Sequence, residues 1–412
     1  MKTDTDVLIA GGGLNGPALA LALAGAGLTV TVVDAQPARA RADAAFDGRA
    51  YALAIASKRL LEAVGLWSGL ADKVQPMTAV KASDGRPGEG PSPFFLDFQS
   101  AELEEGPVGY MLEDRHLYAA FLEAMQANPR ITHIPATSVI AQEPLAAGIA
   151  VILSDGQTLT ARLLVGADGR RSGVAERAGI TRSGWGYGQT ALVAAIAHER
   201  PHGGVAQQFF MPSGPLAILP LTGNRSSIVW SEADEAAKTI AALDDAAFLE
   251  VLRPRFGDFL GAISLCGPRF MYPLNLTLAN AYTAPRIALI GDAAHGVHPI
   301  AGQGLNLGLR DVAALAEVLA EAKRRGEDIG AADVLERYQQ WRRFDSTTLA
   351  LGMDSVNRLF SNDNPLLRAG RDLGMGVVQA IPALRRGFMR QAAGLSAGPF
   401  GKLPRLLAGR PL

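Results

Sequence analysis

The run DVLIA (residues 6–10) passes directly into GGGLNG (residues 11–16), and this junction restricts the chain more than any other stretch. A short apolar run of this kind suits a strand buried on both faces of a parallel sheet. The glycines satisfy G-x-G-x-x-G at Gly11, Gly13 and Gly16. The first permits a tight turn, the second lets backbone approach a pyrophosphate, and the third lets helix and strand pack closely. An Ala/Leu-rich helix follows with Pro17 in its first turn, where proline is tolerated. A second strand over 28–33 ends on Asp34, 18 residues past Gly16 and placed to accept hydrogen bonds from an adenosine ribose. Strand, glycine turn, helix, strand and terminal acid together predict a dinucleotide site on a Rossmann-like α/β fold. NAD and FAD both fit at this point.

At 412 residues the chain exceeds the usual single-domain size, so two domains or one large α/β unit are expected. Apolar residues make up 48% and charged residues 19%, enough for a large core. The formal net charge of −1 gives no overall field to recruit nucleic acid, and no such partner is expected. The lone Cys266 excludes an internal disulfide, fits a reducing compartment and reads as a small buried apolar residue. Two acids in MKTDTD argue against a secretory signal. Gly25 and Gly27 break the apolar stretch 17–33, so helix, turn and strand are expected there in place of a membrane span.

Further along, FFLDF (94–98), LAIL (216–219) and SIVW (227–230) are strand-like pieces between Gly/Pro turns. They predict a mostly antiparallel sheet interleaved with the first domain. Between them come a helix over 114–127 and a hairpin about Ser154, Asp155 and Gly156. The strand RIALI (286–290) leads into a glycine-rich loop and then a helix to about Arg325, in which Leu305, Leu309, Val312, Leu315 and Leu319 recur at helical spacing. The expected division is a discontinuous dinucleotide domain at 1–73, 111–180 and 273–350, a second domain at 74–110 and 181–272, and a C-terminal helical segment at 351–412.

Two more stretches separate FAD from NAD. LLVGADGRRS (163–172) sets Asp168 and Gly169 after a strand, and GDAAHGVHPIAGQGLNLGLRD (291–311) fills the late loop. With GGGLNG they resemble the three fingerprints of the class A FAD monooxygenases, the flavoprotein aromatic hydroxylases. The resemblance implies FAD as cofactor, O2 as co-substrate, and NADH, NADPH or a protein electron donor as reductant. It implies that Asp168 and Gly169 lie near the flavin and its donor, and that Gly291 and Asp292 meet the ribityl chain. Pro299 would present its backbone near the reactive flavin carbon. Arg49 and Arg115 match cofactor-facing arginines of the family, with ordinary surface salt bridges as the alternative. Leu14, Asn15 and Val139 complete the implied cofactor set. In the late loop, Gly302 and Gly304 let backbone lie against a flat ring where a side chain would collide. The helix that starts near Gly304, Leu305 and Asn306 aims its positive end at the ring edge that gains charge on reduction.

His295 and His298 stand three apart in a loop, and no Cys or His cluster completes a coordination sphere, so no metal is expected. His295 reads as a residue that caps or packs within the turn. His298, as a proton carrier, and Pro299, through its backbone, are the catalytic candidates; no residue set identifies a substrate base.

HPIAGQGLNLGLRD, FDGRAYAL (46–53), GPLAILPL (214–221) and RLFSNDNPLLRAGRDLG (358–374) narrow the resemblance to the ubiquinone-biosynthesis hydroxylases, the UbiH/UbiF/VisC-like group, over about residues 5–410. The chain departs from that pattern at Ala175, where the family usually has arginine. The group implies insertion of one oxygen atom of O2 into the ring of a polyprenylated phenol through a flavin C4a-hydroperoxide. Phe209, Phe210, Leu216 and Leu219 are candidate substrate walls and read equally as core strand residues. From residue 363 onward, eight Arg and Lys stand against Asp363 and Asp372, interleaved with Leu373, Val377, Ile381 and Phe388. Such basic amphipathic helices suit an anionic membrane surface, which implies a cytoplasmic protein held peripherally on the inner membrane face. The alternative is that they dock on the flavin domain or on a partner in a quinone-synthesis complex. Other readings are the same chemistry on another phenol, a polyprenyl reductase or oxidase, and a flavin-bearing structural subunit. A flavin-dependent halogenase would need a W-x-W-x-I-P signature that this sequence lacks.

Overall fold

The computed structural model describes residues 3–38, 48–362, 364–396 and 402–412; Phe46, Asp47 and Asp363 of the stretches above lie outside the described residues. Thr5–Ala10 pairs in parallel with Val30–Val33 on one side and with Thr158–Gly166 on the other. Ile287–Leu289 and Ile131–Ile134 extend this parallel core outward. Val7, Leu8 and Ile9 are fully buried, which is why the first strand carries no polar alternation. Gly11 and Gly16 are steric requirements here. Gly11 has φ +114°, a Cβ on it would lie 2.3 Å from the Ala167 carbonyl oxygen, and a Cβ on Gly16 would lie 2.0 Å from that of Gly11.

The second layer is a nine-stranded, mostly antiparallel sheet. Its long strand Arg182–His198 pairs with Arg225–Ala233 and Phe270–Ala279, and Gly214–Leu221 and Val205–Met211 continue it. Ala79–Arg86 then joins in parallel, and Gly90–Gln99 pairs antiparallel with it. Helices Asp234–Ala241 and Asp245–Phe256 cover one face over a core that holds Trp230, Phe248 and Phe256. Ala332–Phe360, Pro365–Ala380 and Pro382–Ala392 form the helical C-terminal region. This is the architecture expected from the sequence. A small sheet links the layers: Gln75–Met77 pairs with Gly109–Glu113, which also pairs with Ala50–Leu53. Cys266 is half-buried.

The basic C-terminal segment differs from its sequence reading. Arg371 and Arg368 reach Asp84 at 2.8 and 3.0 Å, Arg385 reaches Glu102 at 2.8 Å, and Arg390 reaches Glu105 at 3.0 Å. Lys402 pairs with Glu317. Five of the eight cations counted as a membrane-facing surplus therefore hold this segment on the body of the protein. Among the described residues, no helix is long and apolar enough to cross a membrane.

One buried polar network ties the late loop to the helices behind it. Asp311 Oδ2 accepts the Gly291 N–H at 2.9 Å and lies 2.6 Å from His295 Nε2, while Oδ1 accepts Arg342 Nε at 2.7 Å. Burial alone would raise the Asp311 pKa, but His295 and Arg342 beside it outweigh burial and hold it below the usual range. Arg342 continues to Asp345, which also meets Arg310 at 3.4 Å. Tyr338 donates to the Leu289 carbonyl at 2.7 Å. Arg342→Met leaves Asp311 as an under-compensated buried charge, so chemical denaturation should show a loss of about 3–5 kcal/mol. A loss below about 1 kcal/mol, the ceiling for an exposed pair, would contradict this role.

Candidate active site

At the first glycine turn, helix Asn15–Gly25 starts from Leu14 with no side-chain cap, leaving its first-turn N–H groups for an anion. Asp34 is 6% exposed; its Oδ1 accepts the Gln36 N–H at 3.0 Å, and its Oδ2 is buried with no protein partner. Gly12, which the motif leaves variable, packs here: a Cβ on it would lie 2.4 Å from that Oδ2. Asn15 is wedged between two glycines of the late motif, since a Cβ on Gly291 or on Gly308 would lie 2.3 Å from its Nδ2. Its Oδ1 is also buried without a partner. Val139 opens the strand Val139–Leu145, two residues beyond Thr137, whose N–H donates to the Asp34 carbonyl at 2.9 Å.

The Asp168-Gly169 and Gly291-Asp292 turns are brought together. Asp168 accepts from Ser172 Oγ and, at 3.1 Å, from the Val174 N–H, which fixes the entry to helix Gly173–Arg177. Ala175, in place of the family's arginine, is buried and donates its N–H to Ser172 Oγ at 3.0 Å. Asp292 pairs with Arg170 at 3.2 Å, both 44% exposed, a contact weak enough to exchange for a ligand hydroxyl. Arg182, which sequence reasoning missed, donates to the carbonyls of Arg170 and, at 2.7 Å, Ala293. Burial lowers the Arg182 pKa against the opposing pull of Asp168 and Asp292. A single arginine at a strand start gives no local signal of such a bridge.

In the late loop, the Pro299 carbonyl accepts the Gly302 N–H at 2.9 Å and closes a turn. Gly302 has φ +62° and is the N-cap of helix Gln303–Arg324, again with no side-chain cap. A Cβ on Gly304 would meet nothing within 4 Å, as expected for a residue facing a cradle. Leu305 is half-buried against the main core. The Asn306 side chain is committed to protein: it donates to the Ala52 and Gly302 carbonyls at 2.8 and 3.0 Å and accepts from the Ala54 N–H and Ser57 Oγ at 2.9 and 2.7 Å. Only its backbone is left for a cofactor. Arg49 pairs with Asp114 at 3.4 Å, and Arg115 pairs with buried Glu113 at 2.7 Å, which also holds Arg225 at 2.8 Å. His295 lies in the Asp311 network, and His298, three residues on, does not join it. Among the described residues no cluster of metal-ligating side chains occurs.

Beyond the start of helix Gln303–Arg324 lies a cavity of about 710 Å3. Phe210 and Leu219 of the second sheet line it, with Ile300 and Gln303 of the late loop and Met375 and Val378 of the C-terminal helices. Phe210 also packs on Phe360 at a ring separation of 4.2 Å. Phe209 and Leu216 do not reach the cavity. Each is one or three strand positions from a cavity residue and so points to the opposite face, into the core around Trp230. The sequence reading joined these four residues by composition; strand parity separates them into two pairs.

The residues present fit FAD. A buried acid with a free oxygen waits where a ribose would lie, two helix starts lack caps, and Gly304 opens onto free space. His298, the proton-carrier candidate, is held neutral by its surroundings. Its ring nitrogens are buried without partners, its ring packs edge-on to Tyr187 at 5.1 Å, and burial pushes its pKa from 6.5 to about 4. Between those values the unfolded chain takes up a proton that the folded chain refuses, so stability present above pH 6.5 is lost as pH falls toward 4. His298→Phe should flatten that decline by up to about 1.4 kcal/mol per pH unit in urea unfolding between roughly pH 6.5 and 4.5. Parallel profiles for the two proteins would show that His298 is not the group responsible.

A family model described as FAD binding domain matches residues 4–349. The chain is 47% identical to the ubiquinone hydroxylase UbiL of Rhodospirillum rubrum, over 99% of this chain and 93% of that protein. It is 36% identical to the 3-demethoxyubiquinol 3-hydroxylase of Escherichia coli, over 95% of this chain and 99% of that one. Among solved structures, p-nitrophenol 4-monooxygenase PnpA from Pseudomonas putida matches with a TM-score of 0.78 over 95% of this chain and 98% of its own, at 20% identity, which speaks to fold alone. The chain belongs to the FAD-binding-domain family, in the branch of the ubiquinone-biosynthesis hydroxylases, and is an FAD-dependent monooxygenase.

Proposed function

We propose that this enzyme inserts one oxygen atom of O2 into the ring of a polyprenylated phenol on the route to ubiquinone. The cavity between the start of helix Gln303–Arg324 and the C-terminal helices carries this reading: it is large, mostly apolar, and adjoins the cradle that fits FAD. FAD, reduced by NADH, NADPH or a protein donor, supplies the activation of O2. The chain's own residues bind, orient and keep water out. Asp34 holds the ribose and the 11–16 turn the pyrophosphate, while Gly169, Gly291 and Asp292 flank the ribityl chain. Pro299, Gly302 and Gly304 shape backbone along the ring, and Arg49, Arg115 and Val139 line the outer edge of the cofactor site. Phe210 and Leu219 hold the aromatic ring of the substrate. Residues 1–73, 111–180 and 273–350 serve as the cofactor domain, with 74–110 and 181–272 as the substrate domain and 351–412 as its roof.

The names of the relatives support quinone precursors over other phenols. Peripheral contact with a membrane is supported by exposed apolar side chains along the roof. Leu373, Val377 and Ile381 recur every four residues, and Leu384 and Phe388 repeat that spacing, all five outward-facing. Phe388 also lines the cavity, giving an apolar path from the outer surface inward.

Deletion of the gene and complementation, read by mass spectrometry of quinone intermediates, tests the function. A prenylated ring lacking one hydroxyl should accumulate and be cleared by the parent protein. An unchanged profile, in a cell without a redundant hydroxylase, would rule out quinone precursors as the substrate. Gly374 lines the cavity, and a Cβ there meets nothing within 4 Å, so Gly374→Leu fills space without a backbone clash. That variant should bind FAD normally yet clear the intermediate about tenfold more slowly or worse, as expected when about 1.4 kcal/mol of transition-state binding is lost. Asp34→Ala removes charge-assisted hydrogen bonds of about 1.5–3 kcal/mol, so titration of the apoprotein should show FAD affinity reduced by about tenfold to a hundredfold.

A further inference from the structure

The sheet that walls the apolar cavity carries a second opening on its other face, a cleft of about 820 Å3. Strand alternation divides the two. On Ala79–Arg86, Val80 and Ala82 face the apolar cavity, while Lys81, Ser83 and Gly85 face the cleft. On Val205–Met211, Phe210 belongs to the first and Phe209 to the second. The far wall is the C-terminal end of helix Asp245–Phe256 and the turn that follows it.

The lining combines cations with phenyl rings. Arg86 lies 3.9 Å from Glu89, and Arg255 pairs with Glu232 at 3.2 Å and stacks over Trp230 at 4.9 Å. Lys81 and Arg253 also line the cleft, and neither side chain makes an ion pair or hydrogen bond with any of the described residues. Glu89, beside Arg86, and Asp258, on the opposite rim, are the acids of the lining. Phe95 and Phe259 are each 40% exposed at the cleft, and Phe259 stacks on Phe256 with ring centroids 5.7 Å apart. Exposed rings beside uncommitted cations leave two needs open, a flat apolar body and a negative charge. One ligand answers both.

We propose that this cleft is a second binding site, for an anionic aromatic small molecule, separate from the substrate cavity. Lys81 and Arg253 meet the charge, and Phe95 and Phe259 meet the ring. The site lies across the sheet from the proposed flavin chemistry and does not depend on that substrate assignment.

The test is calorimetric titration of the FAD-loaded protein with 1-naphthoate and with its uncharged counterpart 1-naphthalenemethanol. The carboxylate should bind more tightly than the alcohol. The double variant Lys81→Gln, Arg253→Gln should weaken naphthoate by about tenfold or more and leave the alcohol unchanged, and Lys81→Arg should retain binding. Val378→Phe, which fills the apolar cavity, should leave naphthoate affinity as it was. Melting temperature and bound-flavin absorbance check that each variant is folded; should the double variant fail, Lys81→Gln alone carries the comparison. The proposal is overturned by any of three results: no naphthoate binding, equal binding by the cation-deficient variant, or loss of binding in Val378→Phe.

Discussion

Asp311 has no exposure to water, and three partners depend on its two oxygens. The backbone of Gly291 and the ring of His295 come from the late loop, Arg342 comes from the helix behind it, and Asp311 itself sits on the helix that starts at the cofactor cradle. A carboxylate in that position tolerates little movement, because each partner fills a direction the others cannot. The turn that bears Asp292 and the start of helix Gln303–Arg324 are thereby fixed relative to each other. Asn15, packed against Gly291 and Gly308, adds the first glycine turn to the same assembly. The first glycine turn and the late motif, distant in sequence, meet because polar atoms with no access to water leave them few alternatives.

How much of this was legible depended on the range of the signal. The buried strand at 5–10, the helix over 114–127 and the long helix ending near Arg325 are written in local pattern, and the structure places them there. Partnership across hundreds of residues is not local. Arg371 and Asp84 are 287 positions apart, so a charge count over the tail registers the arginine and not the acid that claims it. Asn306 likewise marks the helix start expected to face the ring, and nothing local tells that its amide joins backbone near Ala52 and Ala54, more than 250 positions away. Phe209 and Phe210 part company for a different reason: Phe210 lines the cavity and Phe209 does not. Their apolar character was plain, but adjacent strand residues face opposite ways, and composition carries no parity.

The C-terminal helices show how one segment takes on two kinds of contact. Their arginines turn toward acids on the second sheet and its connecting turns, while apolar residues such as Leu373 and Phe388 remain outward. The roof is fastened by these ion pairs together with buried apolar residues such as Met375 and Met389, and still leaves hydrocarbon on its outer surface. A count of its charges describes how it is fastened; what it presents to its surroundings is set by the residues between them.

A single sheet with two unlike linings also guards its own alignment. Sliding Ala79–Arg86 or Val205–Met211 by one residue would drive Lys81 into hydrocarbon and turn Phe210 toward the charged side, with every neighbour misplaced at once. Misregistered pairings are thus penalised by chemistry on both faces, where a sheet with one wet face is checked on one. Changes along these strands are constrained in steps of two: an insertion or deletion of one residue exchanges the contents of the two chambers, and only paired changes preserve the separation between them.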